Sequence, residues 1–359
     1  MPTMLPTVRI GNREIGPGRP AYLVAEIGIN HNGDPAIAGR LIDVAAEAGV
    51  DAVKFQKRTP RAILTAAGYD RPYESENAFA PTYGAHREKL ELSGQAYRDL
   101  AAYARSRGLD FFASVWDVQS ADFMESLGVP AFKIASADLT NLPLLDYVAR
   151  KGRPMIVSTG MSTMAEVDEA VAAVRRSNVQ LILMHCVSAY PCENRDVNLR
   201  TMAALAERFG TPVGYSGHDR GVAIPVAAVA LGANVIEKHI TLDRAMKGSD
   251  HAAALEPDGL KRVVRYIRNV EAAFGDGEKR IIPQELAIRE KLAKSVATAA
   301  AIAADAVIRA DMLTVKGPGT GLAPRHLTAL VGRVAARSLE ADTLVPADAL
   351  SWPPASPRS

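Results

Sequence analysis

The 359-residue sequence is short of several features, and each shortage excludes a class of protein. Its two cysteines, Cys186 and Cys192, are too few for a disulfide framework or a thiolate zinc cage. The formal net charge of +2 gives no reason to expect a nucleic acid or a membrane surface as partner. The longest apolar run is interrupted by Pro225 and Gly232 and is shorter than the roughly 20 residues that span a bilayer. We therefore expect a protein of the reducing cytoplasm.

What the sequence does contain is an alternation of short apolar runs and amphipathic helical stretches, which is typical of parallel β/α units. Eight such units are typical of a closed (β/α)8, or TIM, barrel. The alternative is an open doubly wound sheet, but no Gly-x-Gly-x-x-Gly motif follows the first strand. The predicted strands are residues 22–25, 52–55, 111–113, 131–134, 155–157, 181–184, 213–215 and 234–236.

The change of sequence character along the chain predicts four parts. They are an N-terminal extension (1–20), the barrel (21–274), a polar linker (275–290) and a small β-rich domain (291–353). The last part has short β-type runs at 295–300 and 331–335 and no strong helical repeat. A module of about 60 residues builds little core of its own, so we expect it to pack against another surface, such as a second subunit.

The connection after the second strand, residues 57–93, is far longer than a usual βα loop. It is rich in aromatic and charged residues, including Arg71-Pro72-Tyr73 and the run from Tyr83 to Arg87. We expect a lid over the end of the second strand. The alternative is an insertion that merely covers a helix.

Polar side chains follow the carboxyl ends of the predicted strands, where TIM barrels build their active sites. Two of them, Lys54 and Lys133, lie in or beside apolar strands, where an unpaired ammonium group is costly. Together with nearby serines they predict a site for a phosphate or carboxylate group. The alternative is that each lysine pairs with a buried carboxylate such as Glu26 or Glu237.

Two histidines, His218 and His239, follow the seventh and eighth strands. Neutral imidazoles at neighbouring strand ends predict a divalent metal site of the open, catalytic kind. Glu26 is the candidate acid/base group, and its alternative role is to neutralise Lys54. Asp250, on a Gly-containing loop, is a candidate for contacts with sugar hydroxyls or for capping the helix that begins near Pro257.

Several motifs in register identify the chain as similar to the sialic acid synthase family. The resemblance covers nearly the whole sequence, and the C-terminal stretch from Lys294 to Gly321 looks like that family's antifreeze-like (SAF) domain. The motifs in the barrel are Ala25 to Gly33, Val53-Lys54-Phe55-Gln56, Phe132 to Ser136, Tyr215-Ser216-Gly217-His218, Glu237-Lys238-His239 and the loop from Gly248 to Pro257.

The resemblance implies an enzyme that joins phosphoenolpyruvate to an N-acetylhexosamine aldehyde, releases phosphate and forms a nine-carbon 2-keto acid. It implies a divalent metal, Mn²⁺ or alternatively Mg²⁺ or Co²⁺, held by His218 and His239, and proton transfers handled by Glu26. The implied contacts to the amino sugar come from Gln56, Tyr190 and Asp250. The implied phosphoenolpyruvate contacts come from Lys54, Ser114, Lys133, Ser136, Ser188 and Ser216.

By this resemblance the sugar is N-acetylmannosamine or its 6-phosphate, and the protein is a domain-swapped homodimer. The runner-up is a legionaminate-type synthase that uses another hexosamine. A non-catalytic carbohydrate-binding SAF protein is a remote alternative, since it predicts a degraded ring of polar residues and this ring is complete.

The chain departs from the family pattern at Gly317, where an arginine of the SAF loop is often found and reaches a neighbouring subunit's sugar site. Lys316 and Arg325 are candidates to replace it. In the predicted lid, a clamp for a sugar phosphate is a hypothesis, with Lys57, Arg58, Arg71 and Arg87 as its candidates.

Overall fold

The computed structural model describes residues 6–177 and 180–356. The chain divides after Phe274 into two compact units. The first unit begins with an antiparallel hairpin of β1 (Val8–Ile10) and β2 (Arg13–Ile15). Among the described residues, no helix has both the length and the apolar character needed to cross a membrane.

After the hairpin, eight parallel strands close into a barrel in their order along the chain, which confirms the predicted fold. Their side chains are almost all buried, as expected for parallel strands covered on the outside by helices. The barrel strands are β3 (Tyr22–Gly28), β4 (Ala52–Lys57), β5 (Asp110–Val115), β6 (Phe132–Ile134), β7 (Met155–Ser158), β8 (Leu181–Cys186), β9 (Val213–Gly217) and β10 (Val235–His239).

Helices connect the strands and bury their apolar faces against the barrel. The first shows why these segments are helical: the Asp34 side chain accepts a hydrogen bond from the Ala36 amide, and Pro35 begins the helix. The helices of this unit are α1 (Pro35–Ala48), α2 (Pro60–Ile63), α3 (Ala66–Asp70), α4 (Tyr83–Lys89), α5 (Gly94–Ser106), α6 (Val118–Ser126), α7 (Leu142–Ala149), α8 (Met164–Arg175), α9 (Thr201–Phe209), α10 (Ala223–Ala230) and α11 (Pro257–Ala273).

The hairpin of β1 and β2 lies at the amino-terminal end of the barrel. Val8, Ile10 and Ile15 are buried and belong to the same hydrophobic cluster as the barrel strands. Arg13 contacts Asp51, which directly precedes β4. The segment interpreted from the sequence as an N-terminal extension therefore contributes to the barrel's core, because its apolar residues alternate along two very short strands.

The second unit has its own hydrophobic core, contrary to the expectation of little core. Its centre includes Val296, Leu313, Leu330 and Trp352. Its regular sheet is a pair of antiparallel strands, β11 (Ser295–Thr298) and β12 (Leu313–Lys316). The β-type run at 331–335 forms isolated bridges instead of a strand.

Two further helices belong to this unit, α12 (Pro283–Leu292) and α13 (Leu327–Leu330). The second half of the segment interpreted as a linker is therefore helical, from Pro283 onward. None of the side chains of α12 is buried. Its polar and apolar residues are not segregated to opposite faces, which is why its helical character was not evident from the spacing of apolar residues.

Candidate active site

A cavity of about 360 Å³ lies at the carboxyl end of the barrel strands. It brings together all twelve residues that the sequence singled out, and their individual roles remain predictions. They are Glu26, Lys54, Gln56, Ser114, Lys133, Ser136, Ser188, Tyr190, Ser216, His218, His239 and Asp250.

The floor of the cavity is built around Lys54. Strand register sets Glu26 beside Lys54, and the Lys54 Nζ lies 2.7 Å from Glu26 Oε2. The same nitrogen lies 3.5 Å from Glu237 Oε1 and donates a hydrogen bond of 2.9 Å to Ser114 Oγ. For this lysine, the alternative of pairing with buried carboxylates is correct.

The two carboxyl groups beside Lys54 differ in acidity. Burial raises the pKa of Glu26 to about 7, against the opposing charge of Lys54 and with a contribution from Glu237. Burial acts in the same direction on Glu237, but Lys133 and Lys54 together lower its pKa. Neighbouring acids whose pKa values are pushed apart can divide the roles of proton donor and charge stabiliser.

Lys133 is buried in a different environment. Its Nζ donates hydrogen bonds to Ser158 Oγ at 2.6 Å and to the Ile134 carbonyl at 3.1 Å. Among the residues that the structure describes, no carboxylate forms a salt bridge with it, and burial lowers its pKa. Glu237 attracts this ammonium group from beyond salt-bridge distance. A buried ammonium group without a direct carboxylate partner is costly, so this position favours a bound anion.

Two serines that line the cavity, Ser136 and Ser188, lie close to the backbone at Gly160. Ser136 Oγ accepts a hydrogen bond of 3.0 Å from the amide of Gly160. A Cβ atom on Gly160 would lie 2.5 Å from Ser188 Oγ and 2.7 Å from Ser136 Oγ. Glycine is therefore required here if both hydroxyl groups are to face the cavity.

The rings of His218 and His239 lie with their centroids 5.4 Å apart. The His218 Nδ1–H group donates to the Val187 carbonyl at 2.7 Å, which leaves Nε2 as the ring nitrogen available to a ligand. Burial lowers the pKa of His239, so its ring is neutral at physiological pH. Among the described residues, His239 Nδ1 is a buried atom without a hydrogen-bond partner.

The Nε2 of His218 and the unpartnered Nδ1 of His239 are imidazole nitrogens of the kind that binds a divalent transition metal. No cluster of three or more His, Cys, Asp and Glu side chains suited to a metal occurs in residues 6–177 and 180–356. Any ion here would thus take most of its ligands from substrate or water, as in an open site.

Two of the residues predicted to contact the sugar, Tyr190 and Asp250, lie beside the histidines. The Tyr190 ring centroid is 3.9 Å from that of His218. Asp250 Oδ2 is 3.9 Å from His239 Nδ1, and the Asp250 side chain does not cap a helix. Gln56 donates a hydrogen bond of 3.2 Å to Glu26 Oε1. Since the Asp250 side chain caps neither the short helical turn at 251–253 nor the helix that begins at Pro257, the capping alternative for Asp250 is wrong.

Strand β10 supplies residues to two environments. Glu237 and His239 line the cavity, whereas the Lys238 side chain is directed away from it. The Lys238 Nζ donates a 2.5 Å hydrogen bond to the Asp219 carbonyl and lies 3.2 Å from Asp219 Oδ1. Tyr215 donates a 2.6 Å hydrogen bond to the same Oδ1. This buried network holds the residue that follows His218.

The long connection after β4 contains the helices α2, α3 and α4, and it contributes Tyr73 and Arg87 to the cavity wall. This arrangement fits a lid over the site rather than an insertion that merely covers a helix. Its His86 ring is packed near the rings of Tyr73 and Tyr83.

Several lining residues were not among the predicted site residues. Ser158 was visible as a polar residue at a strand end, and Glu237 was considered only as a lysine partner. Cys186 is buried, with its Sγ 3.9 Å from His218 Nδ1. Tyr73 and Arg87 lie in the predicted lid, where Arg87 is one of the candidates for the sugar-phosphate clamp. The sequence analysis did not single out Trp116, Met161 or Ser249, which also line the cavity.

Of the two candidates to replace the SAF-loop arginine, Lys316 pairs with Asp342. The exposed Arg325 contacts its neighbour His326 at 3.0 Å.

Comparison with known proteins gives consistent matches. The model of the NeuB family matches residues 41–279, and that of the SAF domain matches residues 293–351. Human N-acetylneuraminate-9-phosphate synthase is 43% identical, with 93% of each chain covered. The N,N'-diacetyllegionaminic acid synthase of Legionella pneumophila is 38% identical over 93% of this chain and 95% of its own.

Among solved structures, the N-acetylneuraminic acid (sialic acid) synthetase of Leptospira borgpetersenii, in complex with citrate, superposes with a TM-score of 0.71. It is 32% identical, and the alignment covers 80% of this chain and 96% of that protein.

Proposed function

The chain belongs to the NeuB family, whose synthases are phosphoenolpyruvate-dependent condensing enzymes, and we propose that it joins phosphoenolpyruvate to an N-acetylhexosamine. The proposed sugar is N-acetylmannosamine or its 6-phosphate, which gives N-acetylneuraminate or its 9-phosphate and releases phosphate. The identity of 43% with the human N-acetylneuraminate-9-phosphate synthase supports this choice.

The observation that carries the proposal is the buried Lys133, which has no carboxylate partner among the described residues. Phosphoenolpyruvate brings both a phosphate and a carboxylate to such a position. Hydroxyl groups around the two lysines can accept or donate the remaining hydrogen bonds of these anions. The hydroxyls come from Ser114, Ser136, Ser188 and Ser216.

The reaction needs one carbon–carbon bond and one proton-coupled hydration. The C3 carbon of the enol attacks the aldehyde carbon of the sugar, whose oxygen takes up a proton. Water then adds at C2, loses a proton, and the tetrahedral intermediate expels phosphate to leave the 2-keto group. Glu26, with a pKa of about 7, can exchange protons near neutral pH, which is the range where acid/base catalysis is most effective.

We also propose that His218 and His239 hold a divalent metal, Mn²⁺ in the first instance. When bound, such an ion orders and polarises the sugar aldehyde as a Lewis acid. The neutral His239 ring with its unpartnered Nδ1 supports this role, as does the His218 ring, whose centroid lies 5.4 Å away. Gln56, Tyr190 and Asp250 are proposed to orient the sugar, because they line the same cavity next to the histidines and Glu26.

The second candidate is a synthase that uses another hexosamine, such as that of a legionaminate-type enzyme. The identity of 38% with the Legionella N,N'-diacetyllegionaminic acid synthase favours it. The polar residues at the floor of the cavity can serve either reaction. Discrimination between the two hexosamines must therefore come from the side chains that contact the sugar.

A panel of sugars tests the proposal. Purified protein is incubated with phosphoenolpyruvate, Mn²⁺ and each of N-acetylmannosamine, its 6-phosphate and a diacetamido hexosamine, while phosphate release and product mass are followed. Phosphate release with none of the sugars would contradict the proposal. Titration of Mn²⁺ followed by electron paramagnetic resonance tests the metal site separately, since His218→Ala and His239→Ala should weaken binding.

We further propose that the protein is a homodimer, domain-swapped as the resemblance implies. The segment around α12 supports an interface with a second copy, because its apolar side chains are about half exposed: Ile282, Leu286, Ile288 and Leu292. Light scattering should give twice the chain mass, and Ile288→Glu combined with Leu292→Glu should give a monomer.

A further inference from the structure

We propose that Arg87, on the lid helix α4, binds a phosphate group at the far end of the sugar and makes the 6-phosphorylated hexosamine the preferred substrate. This inference rests on the proposed condensation with phosphoenolpyruvate and names the substrate class of the same site.

The direction of the sugar in the cavity follows from the reaction. Its aldehyde carbon must meet the enol carbon of phosphoenolpyruvate, which the buried cations Lys54 and Lys133 hold at the floor. Carbon 6 lies at the opposite end of the open-chain sugar. That end must therefore point out of the barrel, towards the lid segment that contributes Tyr73 and Arg87 to the cavity wall.

Only one of the four lid cations considered from the sequence is placed to meet such a group. Lys57 Nζ lies 3.2 Å from Glu91 Oε2, and the buried Arg58 lies 3.1 Å from Glu91 Oε1. The two cations thus share the single carboxylate of Glu91, and neither of them lines the cavity. Arg71 is exposed and does not line the cavity. Arg87 lines it and is half-buried.

Arg87 is held in place without a salt bridge to any described residue, although its charge and that of Asp250 attract each other from a greater distance. Its guanidinium donates a hydrogen bond of 2.9 Å to the Tyr83 hydroxyl and lies 5.0 Å from the centre of that ring. Within residues 6–177 and 180–356, no carboxylate forms a salt bridge with it. The nearby Asp250 is directed to His239 and Ser249.

The positive charge of Arg87 can bind a phosphorylated hexosamine, whereas a free hexosamine offers it no negative group. A free N-acetylhexosamine is neutral and needs hydrogen bonds rather than a cation. A sugar phosphate is a dianion near neutral pH, and a planar guanidinium can bind two of its oxygens. A fixed arginine at the outer end of the cavity therefore favours the phosphorylated sugar.

The test compares N-acetylmannosamine with its 6-phosphate in the full-length protein, in Arg87→Met and in Arg87→Lys. We expect Arg87→Met to lower kcat/KM for the phosphorylated sugar about 100-fold, mainly through KM, and for the free sugar less than threefold. Arg87→Lys should retain part of the preference, because it keeps the charge. Arg71→Met is the matched control, since it removes an exposed lid arginine outside the cavity, and it should leave both values unchanged.

Each other outcome is decisive. An equal loss with both sugars would show that Arg87 supports only the shape of the lid, and the inference would be wrong. A preference of the unchanged protein for the free sugar would also overturn it, while leaving the condensation itself intact. Absence of phosphate release with every sugar would overturn the proposed function and this inference together.

Discussion

The two ends of the barrel differ in whether their buried polar groups have partners within the protein. At the amino-terminal end, Asp51 accepts a hydrogen bond of 2.7 Å from the Leu23 amide and pairs with Arg13 and Arg268. At the carboxyl end, Glu237 Oε2 and His239 Nδ1 are buried atoms that have no hydrogen-bond partner among the described residues. Buried polar groups are normally satisfied. The closed end therefore contributes stability, and the open end is completed by what it binds.

The largest effect should follow from removing the buried positive charge of Lys133 at the carboxyl end of the barrel. Lys133→Met should lower kcat/KM about 1,000-fold, because the anion loses a buried cation. The melting temperature should change little, because the desolvation penalty of Lys133 is removed while the buried Glu237 loses an attractive neighbour. Phosphate release and differential scanning calorimetry measure the two effects. A marked loss of stability would mean that Lys133 is a structural residue.

The open end should also make the protein sensitive to acid. Burial lowers the pKa of His31 to about 4, with Asp34 and Arg58 as its charged neighbours. Since the folded pKa of His31 lies below its unfolded value, the contribution of this group to stability is fully present above about pH 6.5. It decreases as the pH falls towards 4. The loss from this group amounts to at most about 3 kcal/mol.

His31→Asn keeps an acceptor for the Gly33 amide, which donates to His31 Nδ1 at 3.0 Å. Urea unfolding at several pH values should show a weaker pH dependence in this variant. Part of the dependence should remain, because burial also lowers the pKa of His86 to about 4. An unchanged pH profile would contradict the prediction.

At the closed end, Asp51→Asn should cost stability and spare the reaction. The amide can still accept one hydrogen bond, but it loses its attraction to Arg13 and Arg268. We expect the free energy of unfolding to fall by about 2 kcal/mol, with kcat/KM unchanged below the melting transition. Chemical denaturation and phosphate release provide both values. A loss of activity in the folded protein would show that the two ends are coupled.

The smallest effects should come from a matched pair of glycine substitutions. Gly160→Ala sets a methyl group against two serines of the cavity and should lower kcat/KM about tenfold with little change in stability. Gly11→Ala places a methyl group 2.8 Å from Asp110 Oδ1 at a φ of +52°. It should lower the free energy of unfolding by about 1 kcal/mol and leave kcat/KM unchanged. A loss of stability in Gly160→Ala, or a loss of activity in Gly11→Ala, would contradict the proposed division of roles between the two ends of the barrel.

Much of the fold was predictable because the barrel strands are apolar and buried over their whole length. Polar residues at the ends of such strands converge by geometry, so Ser188 and Tyr190 could be placed with Glu26 from the sequence. The hairpin of β1 and β2 was not predicted, because three-residue strands carry too little periodicity. The α12 helix was missed because its apolar residues do not line one face of the helix.

The pairing of charges was also beyond the sequence. Lys54 and Lys133 have similar settings along the chain, yet Lys54 meets two carboxylates and Lys133 meets serine and carbonyl oxygens. The difference arises from the closure of the barrel, which brings the first and last strands together. His239 is paired in register with Glu26 for this reason.

The alternation along β10 has a consequence for how this sequence can change. Glu237 and His239 face the cavity, while Lys238 between them secures the segment after β9. Inserting or deleting one residue within this strand would exchange the two faces, so that the ammonium group would enter the cavity and both cavity residues would leave it. Length variation during divergence should therefore be confined to the connections on either side of this strand.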